Sequence, residues 1–241
     1  MKYALITPPW GFFLQETYNF GYHFVLAQYL NDPAYAEHYK RLAQRGHFIL
    51  MDNGAAELGE GIPDDELMRA ADALGADEVV MPDVLDNTKA TLERTYAAHK
   101  RFPECMRAMC PQGTTWDEWE YCATVMLDMG CATLCVAKRY EALPGGRARA
   151  LRIIESNRWH LDHNIHLLGC YHDPLKEIKA ARKVAPWVRG IDTAAPIAFA
   201  QHERTFEETD EHFSLDWEGS MDYDAVISNI DAILEAVNGS L

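Results

Sequence analysis

The feature that most constrains this chain is a repeated unit: a short apolar run, a polar turn, then a stretch with helical spacing. The apolar runs fall at Tyr3–Thr7, Phe48–Met51, Glu78–Met81, Arg107–Cys110, Thr133–Ala137, Asn164–Leu168 and Val188–Ile191. Runs this short, set between amphipathic helices, belong to a parallel sheet buried on both faces. Seven such units and a less regular C-terminal portion fit an α/β fold of the TIM (β/α)8 barrel class, as one domain over residues 1–241. The eighth unit is the irregular one. Its strand is expected near His212–Leu215, next to the acidic run Glu203–Glu211.

Helical spacing is read over His23–Leu30, Ala34–Gln44, Pro63–Leu74, Thr88–Phe102, a stretch from Thr115 to Met129, Gly146–Asn157, Pro174–Ala185 and Asp222–Val237. Residues 10–21, aromatic and glycine-containing, read as a loop. Thr115 with Glu118 three residues on forms a capping-box pattern. Asp173 precedes Pro174, which suits the first position of a helix.

Composition narrows the chemistry. The chain carries 22 Lys and Arg against 37 Asp and Glu, a net charge of −15, which gives no support for broad electrostatic binding to nucleic acid. Basic residues nonetheless cluster locally: Lys138, Arg139, Arg147, Arg149 and Arg152, then Lys176, Lys179, Arg182 and Lys183. The six cysteines, at 105, 110, 122, 131, 135 and 170, form no CxxC pair, and are expected to be small core residues in a reducing cytosol. The first residues lack the pattern of a signal peptide, and no apolar run is long enough to span a membrane.

In a barrel of this class the chemistry sits at the C-terminal ends of the strands. The polar residues there are Asp52, Asp83, Gln112, Lys138, Arg139, His172 and Asp192. Asp192 ends the apolar run of Val188-Arg-Gly-Ile191, where a carboxylate is costly unless it is paired, hydrogen-bonded or capping the next helix. Asp52 stands in a turn-forming Asp-Asn-Gly, and Asp83 stands where an acid would cap a helix. Three carboxylates from three strands on one rim are harder to explain as three caps. The HExxH, GxSxG, GxxxxGK[ST] and GxGxxG motifs are absent, and with them the chemistries they mark. His160, His163 and His166 have three-residue spacing, but they lie in and before the sixth apolar run, at the wrong end for a barrel site, and no metal is expected.

The chain resembles the tRNA-guanine transglycosylase superfamily, and most closely its archaeosine-type branch. Where that family has Asp-Ser-Gly-(Gly/Ala)-Phe-Gln, this chain has Asp52-Asn-Gly-Ala-Ala-Glu57. The strand ending in a base-recognising acid is Met81-Pro-Asp83, and Val-Gln-Gly before a helix is matched by Pro111-Gln-Gly-Thr-Thr-Trp-Asp117. The His-Leu-Phe-Gly-x-x-His-Pro motif is matched by His166-Leu-Leu-Gly-Cys-Tyr-His-Asp-Pro174. The segment around the family's nucleophile is matched by Ile191-Asp-Thr-Ala-Ala-Pro-Ile-Ala-Phe-Ala200. The five matches run in order from about residue 48 to 200.

The departures are informative. The CxCxxC…His zinc site, the RNA-binding domain and the basic segment of the bacterial enzymes are missing, and Ala137-Lys-Arg-Tyr140 replaces a glycine-rich loop. These features resemble the small phage-encoded relatives that act as 7-deazaguanine DNA transglycosylases, which would place the protein in a host cytoplasm. The resemblance implies replacement of guanine in a nucleic acid, DNA more than tRNA, by a 7-deazaguanine such as preQ0, the queuosine precursor, with no cofactor. It implies Asp192 as nucleophile and Asp52 as general acid/base. It further implies Asp83, Gln112, Gly113, Gly169 and His172 at the base, and Lys138 and Arg139 at a phosphate. Two alternatives are a nucleoside or nucleotide N-glycosidase on the same barrel and a catalytically degenerate barrel that binds a 7-deazaguanine.

Overall fold

The computed structural model describes residues 1–170, 173–207 and 213–239. Among the described residues there are eight strands: β1 (Lys2–Leu5), β2 (Tyr22–Leu26), β3 (Phe48–Asp52), β4 (Glu78–Val80), β5 (Arg107–Met109), β6 (Thr133–Ala137), β7 (Asn164–Leu168) and β8 (Gly190–Thr193). They form one sheet in the order β1-β8-β7-β6-β5-β4-β3-β2, alternate with helices, and belong to the (β/α)8 barrel class that the repeated unit predicts. The helices are α1 (Phe12–Tyr18), α2 (Pro33–Gln44), α3 (Ala55–Leu58), α4 (Asp64–Leu74), α5 (Thr88–Arg101), α6 (Trp116–Asp128), α7 (Gly146–Ser156), α8 (Pro174–Val184), α9 (Ala195–Gln201) and α10 (Tyr223–Asn238). Among the described residues no helix is long and apolar enough to cross a membrane.

The chain divides into two compact units. One comprises residues 21–136 and 161–164, with β2 to β6 and α2 to α6. Its strands pair in parallel, with Leu26 opposite Asp52 and Met51 opposite Val79. Ile49, Leu50, Met51, Val79, Val80, Ala108 and Met109 are buried on this sheet. The amphipathic α4 buries Leu67, Met68, Ala71 and Leu74 in the same unit and packs beside α2. The other unit comprises residues 1–20, 137–160 and 165–241, with β1, β7, β8 and helices α1 and α7 to α10. There Ala4 lies opposite Asp192, and Leu167 opposite Ile191. Ile230, Ile233 and Val237 of α10 are buried in this unit.

Three readings of the sequence need correction. The stretch His23–Leu30 is not a helix: Tyr22–Leu26 is a strand and Ala27–Tyr29 a single 3-10 turn. All five strand residues are buried and pair along the whole length of β3. Aromatic and β-branched residues suit a strand buried on both faces, and a run this short has no periodicity to separate it from a helix. This strand completes the set of eight. The expected strand near His212–Leu215 is therefore not needed: residues 213–215 carry no strand, and His212 lies outside the described residues. Residues 10–21 are not all loop, because Pro9–Gly11 form a 3-10 turn that leads into α1, which ends at Asn19 with a left-handed φ of 48°.

The caps follow the sequence more closely. Thr115 Oγ1 accepts from Glu118 N at 3.3 Å, but the Glu118 carboxylate reaches back to Thr114, accepting from its N–H at 2.8 Å and its hydroxyl at 2.7 Å. Asp173 caps α8 by accepting from Lys176 N at 2.9 Å, and Asp222 caps α10. None of the six cysteines is in a disulfide, and all but Cys105 are buried. Burial pushes the Cys122 thiol up to about 11 and Cys131 to about 12, so both stay protonated core residues.

Candidate functional site

In the unit that holds β3, β4 and β5, parallel pairing brings the C-terminal ends of those strands to one edge. Asp52 is the last residue of β3; Asp83 and Gln112 follow β4 and β5 within three residues. All three are buried. Asp83 is the hub of this edge. Its Oδ1 accepts from Asn53 Nδ2 at 2.8 Å and its Oδ2 from Gln112 Nε2 at 2.5 Å. Burial raises the Asp83 pKa above its usual value of 3.8, against the opposing pull of hydrogen bonds from Asn53 and Gln112.

The two amides are fixed from their far sides as well. Asn53 Nδ2 also donates to Met81 O at 2.9 Å, and its Oδ1 accepts from Ala55 N at 2.8 Å. Gln112 Oε1 accepts from Asp86 N at 3.3 Å, while Thr88 Oγ1 donates to the Gln112 carbonyl at 2.7 Å. Asp52 Oδ2 accepts from Gly54 N at 2.9 Å, the local turn that Asp-Asn-Gly favours. Gly113, expected at the base, has a packing reason of its own. A Cβ there would lie 2.7 Å from Trp119 N and 2.8 Å from Glu118 Cβ, because the first turn of α6 presses against it.

In the other unit, Asp192 lies within β8 and is 2% exposed. It caps no helix: the N-cap of α9 is Ala194, and the neighbouring side-chain bond runs from Ala195 N to Thr193 Oγ1 at 3.0 Å. Both Asp192 oxygens are held. His166 Nε2 is 2.9 Å from Oδ1, and Gly169 N donates to Oδ2 at 3.1 Å. A carboxylate only accepts, so the proton of that histidine nitrogen faces Asp192. His166 is fully buried one strand away, on β7.

Gly169 is itself fixed. Its φ of +66° suits glycine, and a Cβ there would lie 2.9 Å from Lys138 Cδ, so the aliphatic stem of Lys138 crosses directly over it. Arg147, buried at the start of α7, donates to Leu168 O at 3.1 Å and Gly169 O at 2.7 Å. Its charge is matched by Glu177 of α8, which accepts from Nε at 2.6 Å. The Lys138 side chain is exposed at the rim and Arg139 is half-buried beside it. His172 lies outside the described residues.

The sequence reading missed three of these partners. In the sequence His166 stands as a motif residue or a metal candidate, Asn53 as a turn residue, and Arg147 as part of a basic cluster. Strand register decides the first. Gly190 pairs with His166, so His166 and Asp192 share one face of the two strands. The other histidines of that trio go elsewhere: His160 stacks on Trp187, and His163 Nδ1 meets Cys131 O at 2.7 Å. Among the described residues no group of three or more His, Cys, Asp or Glu is placed to hold a metal ion. A surface groove of about 530 Å3 between α2 and α4 is lined by Leu30, Glu37, Lys40 and Arg69 among others, and by none of the expected site residues.

No protein-family model matches the chain, and no curated protein matches it either.

Proposed function

We propose that this protein is a base-exchange transglycosylase that replaces guanine in a nucleic acid with a 7-deazaguanine such as preQ0. The observation that carries the reading is Asp192: a carboxylate at the end of a buried strand, capping nothing, with each oxygen held by a separate donor. A nucleophile needs a fixed geometry more than it needs solvent. In this reading an Asp192 oxygen attacks C1′ of a guanosine, the glycosidic bond breaks, and an acylal-type ester joins the sugar to the protein. Asp52 protonates the departing guanine and later takes the proton from the incoming base, whose nitrogen then attacks C1′ and frees Asp192. Two carboxylates thus divide the nucleophile and acid/base roles, as in retaining glycosidases.

The Asp83 hub supports recognition of a guanine-type edge. The two fixed amides each donate to one Asp83 oxygen and hold the carboxylate in one orientation, and each oxygen keeps a further lone pair. Both guanine and 7-deazaguanine present adjacent N–H donors that such a group accepts.

The test is exchange of labelled guanine into DNA, tRNA and free guanosine, with the wild type and with Asp192→Ala. Exchange by the wild type, with a denaturation-resistant protein–sugar adduct that Asp192→Ala cannot form, is the expected result. Full exchange by a folded Asp192→Ala would sink the reading. Release of guanine with no added base would mark an N-glycosidase instead, and binding of preQ0 without either reaction would mark a binding barrel.

A further inference from the structure

Charge is divided unevenly along this chain. Residues 138–189 hold 11 of the 22 basic residues and five of the 37 acidic ones, so that segment carries +6 and the remainder −21. In the fold, the basic residues of this segment concentrate on α7 and α8, which pack side by side. On α8, Lys176, Lys179 and Lys183 recur at i, i+3 and i+7, opposite the buried Pro174, Ile178 and Ala181. On α7, Arg149 and Arg152 recur at i and i+3, opposite the buried Arg147, Ala150, Leu151 and Ile154. This spacing puts each set on one face of its helix, and all five side chains are exposed.

The acids nearby do little to neutralise these stripes. Glu177 is engaged by Arg147, Glu141 accepts from Arg147 N at 2.7 Å, and Asp173 caps α8, which leaves Glu155, three residues after Arg152 on α7, as the exposed acid beside the stripes. No ion pair joins Arg152, Lys176, Lys179 or Lys183 to an acid among the described residues. The groove between the helices, about 300 Å3, is lined by Ala148, Ala180 and Ala181 and by Arg147 and Lys176 together with the acids Glu141, Asp173 and Glu177, so the cationic stripes are the exposed helix faces rather than the groove itself. Lys138 carries the cationic strip on to the Gly169 loop that holds Asp192.

We infer that the exposed face of α7 and α8 is a docking surface for the phosphate backbone of a nucleic-acid duplex. We take the partner to be a polyanion because residues 138–189 carry +6 in a chain whose other residues sum to −21. No large hydrophobic residue is exposed on either helix among the described residues. A face of that kind lacks the apolar anchors that hold a helix in a membrane surface and the aromatic platforms that stack single-stranded bases. Rows of Lys and Arg on neighbouring helices suit sequence-independent contact with duplex phosphates. This inference rests on the base-exchange reading in one respect: it supplies the polymer on which Asp192 would act.

The test is binding of a short fluorescein-labelled DNA duplex, read by anisotropy between about 50 and 200 mM salt. The proteins compared are the wild type, Lys176→Gln/Lys179→Gln/Lys183→Gln, and a control, Lys40→Gln/Lys89→Gln/Lys100→Gln, that removes the same charge from α2 and α5. Circular dichroism checks that each is folded. The α8 triple variant should lower the magnitude of the log affinity–log salt slope by about 2.7, or about 0.9 for each phosphate that a lysine no longer neutralises. The control should leave the slope near the wild-type value. Equal losses in both variants, no duplex binding by the wild type, or binding only to phosphatidylserine vesicles would overturn the inference. The two proposals fail separately. Duplex binding through α8 with no base exchange would sink the transglycosylase reading alone, and exchange on free guanosine without duplex binding would sink this surface alone.

Discussion

Gly169 links Asp192 to Arg147: its N–H donates to Asp192 Oδ2 at 3.1 Å, and its carbonyl accepts from Arg147 Nη2 at 2.7 Å. One peptide segment therefore transmits the position of a buried cation on α7 to a carboxylate on β8. Arg147 is a positioning residue, and its buried pairing with Glu177 gives the arrangement its rigidity.

Replacing Arg147 by Met takes the guanidinium away from the half-buried Glu177 and from two carbonyls, which is expected to cost up to about 3 kcal/mol in urea unfolding, the low end for a broken buried pair. Arg147→Lys keeps the charge but gives up the forked hydrogen bonding to two carbonyls. It should lower kcat for exchange more than it raises KM. An Arg147→Met protein as stable as the wild type would rule out this role.

His166→Ala removes the donor to Asp192 Oδ1 and leaves a buried acceptor unmet, at about 1–3 kcal/mol of stability. His166→Gln restores an N–H donor near the same place and should recover part of the adduct formation lost by His166→Ala. Equal adduct formation in the wild type and His166→Ala would separate this histidine from the chemistry.

The Asp83 pKa sets a pH dependence with a definite sign. Its folded-state pKa is raised by burial, so between 3.8 and that raised value the folded chain holds more protons at this site than the unfolded chain. The contribution of Asp83 to stability therefore declines as pH rises through that window. Unfolding measured against pH should show the wild type losing stability relative to Asp83→Asn as pH rises from 3.8 upward. The opposite trend would mean that the hydrogen bonds from Asn53 and Gln112 outweigh burial.

Two glycine substitutions separate crowding from backbone strain. Gly113→Ala drives a methyl into the first turn of α6, and overpacking of this kind costs about 1–3 kcal/mol. Gly169→Ala meets both a φ of +66° and the Lys138 stem, and should also disturb Asp192. Thermal unfolding should fall in both variants, by about 2–4 °C per kcal/mol at this chain length, with exchange lost further only in Gly169→Ala.

Much of the fold was legible because most strands announce themselves twice, by an apolar run and by a glycine, proline or polar turn after it. Tyr22–Leu26 was not, because Ala27-Gln-Tyr29 continues straight on from it and supplies no stop. The carboxylates of the site were legible as polar residues at strand ends. Their partners were not: His166 meets Asp192 through strand register, and Arg147 meets Gly169 through helix packing, and neither is written in local spacing. The sequence showed two basic clusters, but that α7 and α8 are neighbours is a property of the sheet order.

The hydrogen bonds around Asp83 decide more than where a carboxyl group sits. An amide side chain can be turned end for end with almost no change of shape, so an unanchored Asn or Gln offers a ligand both polarities. Here Asn53 is anchored by Met81 O and Ala55 N, and Gln112 by Asp86 N, each with its N–H side towards Asp83. Folding has already taken the loss of rotational freedom, about 0.5–1.5 kcal/mol for each side chain that a ligand would otherwise have to immobilise. A heterocycle arriving at this edge meets a surface whose donors and acceptors are already assigned, and one with the reversed pattern finds no conformer willing to receive it.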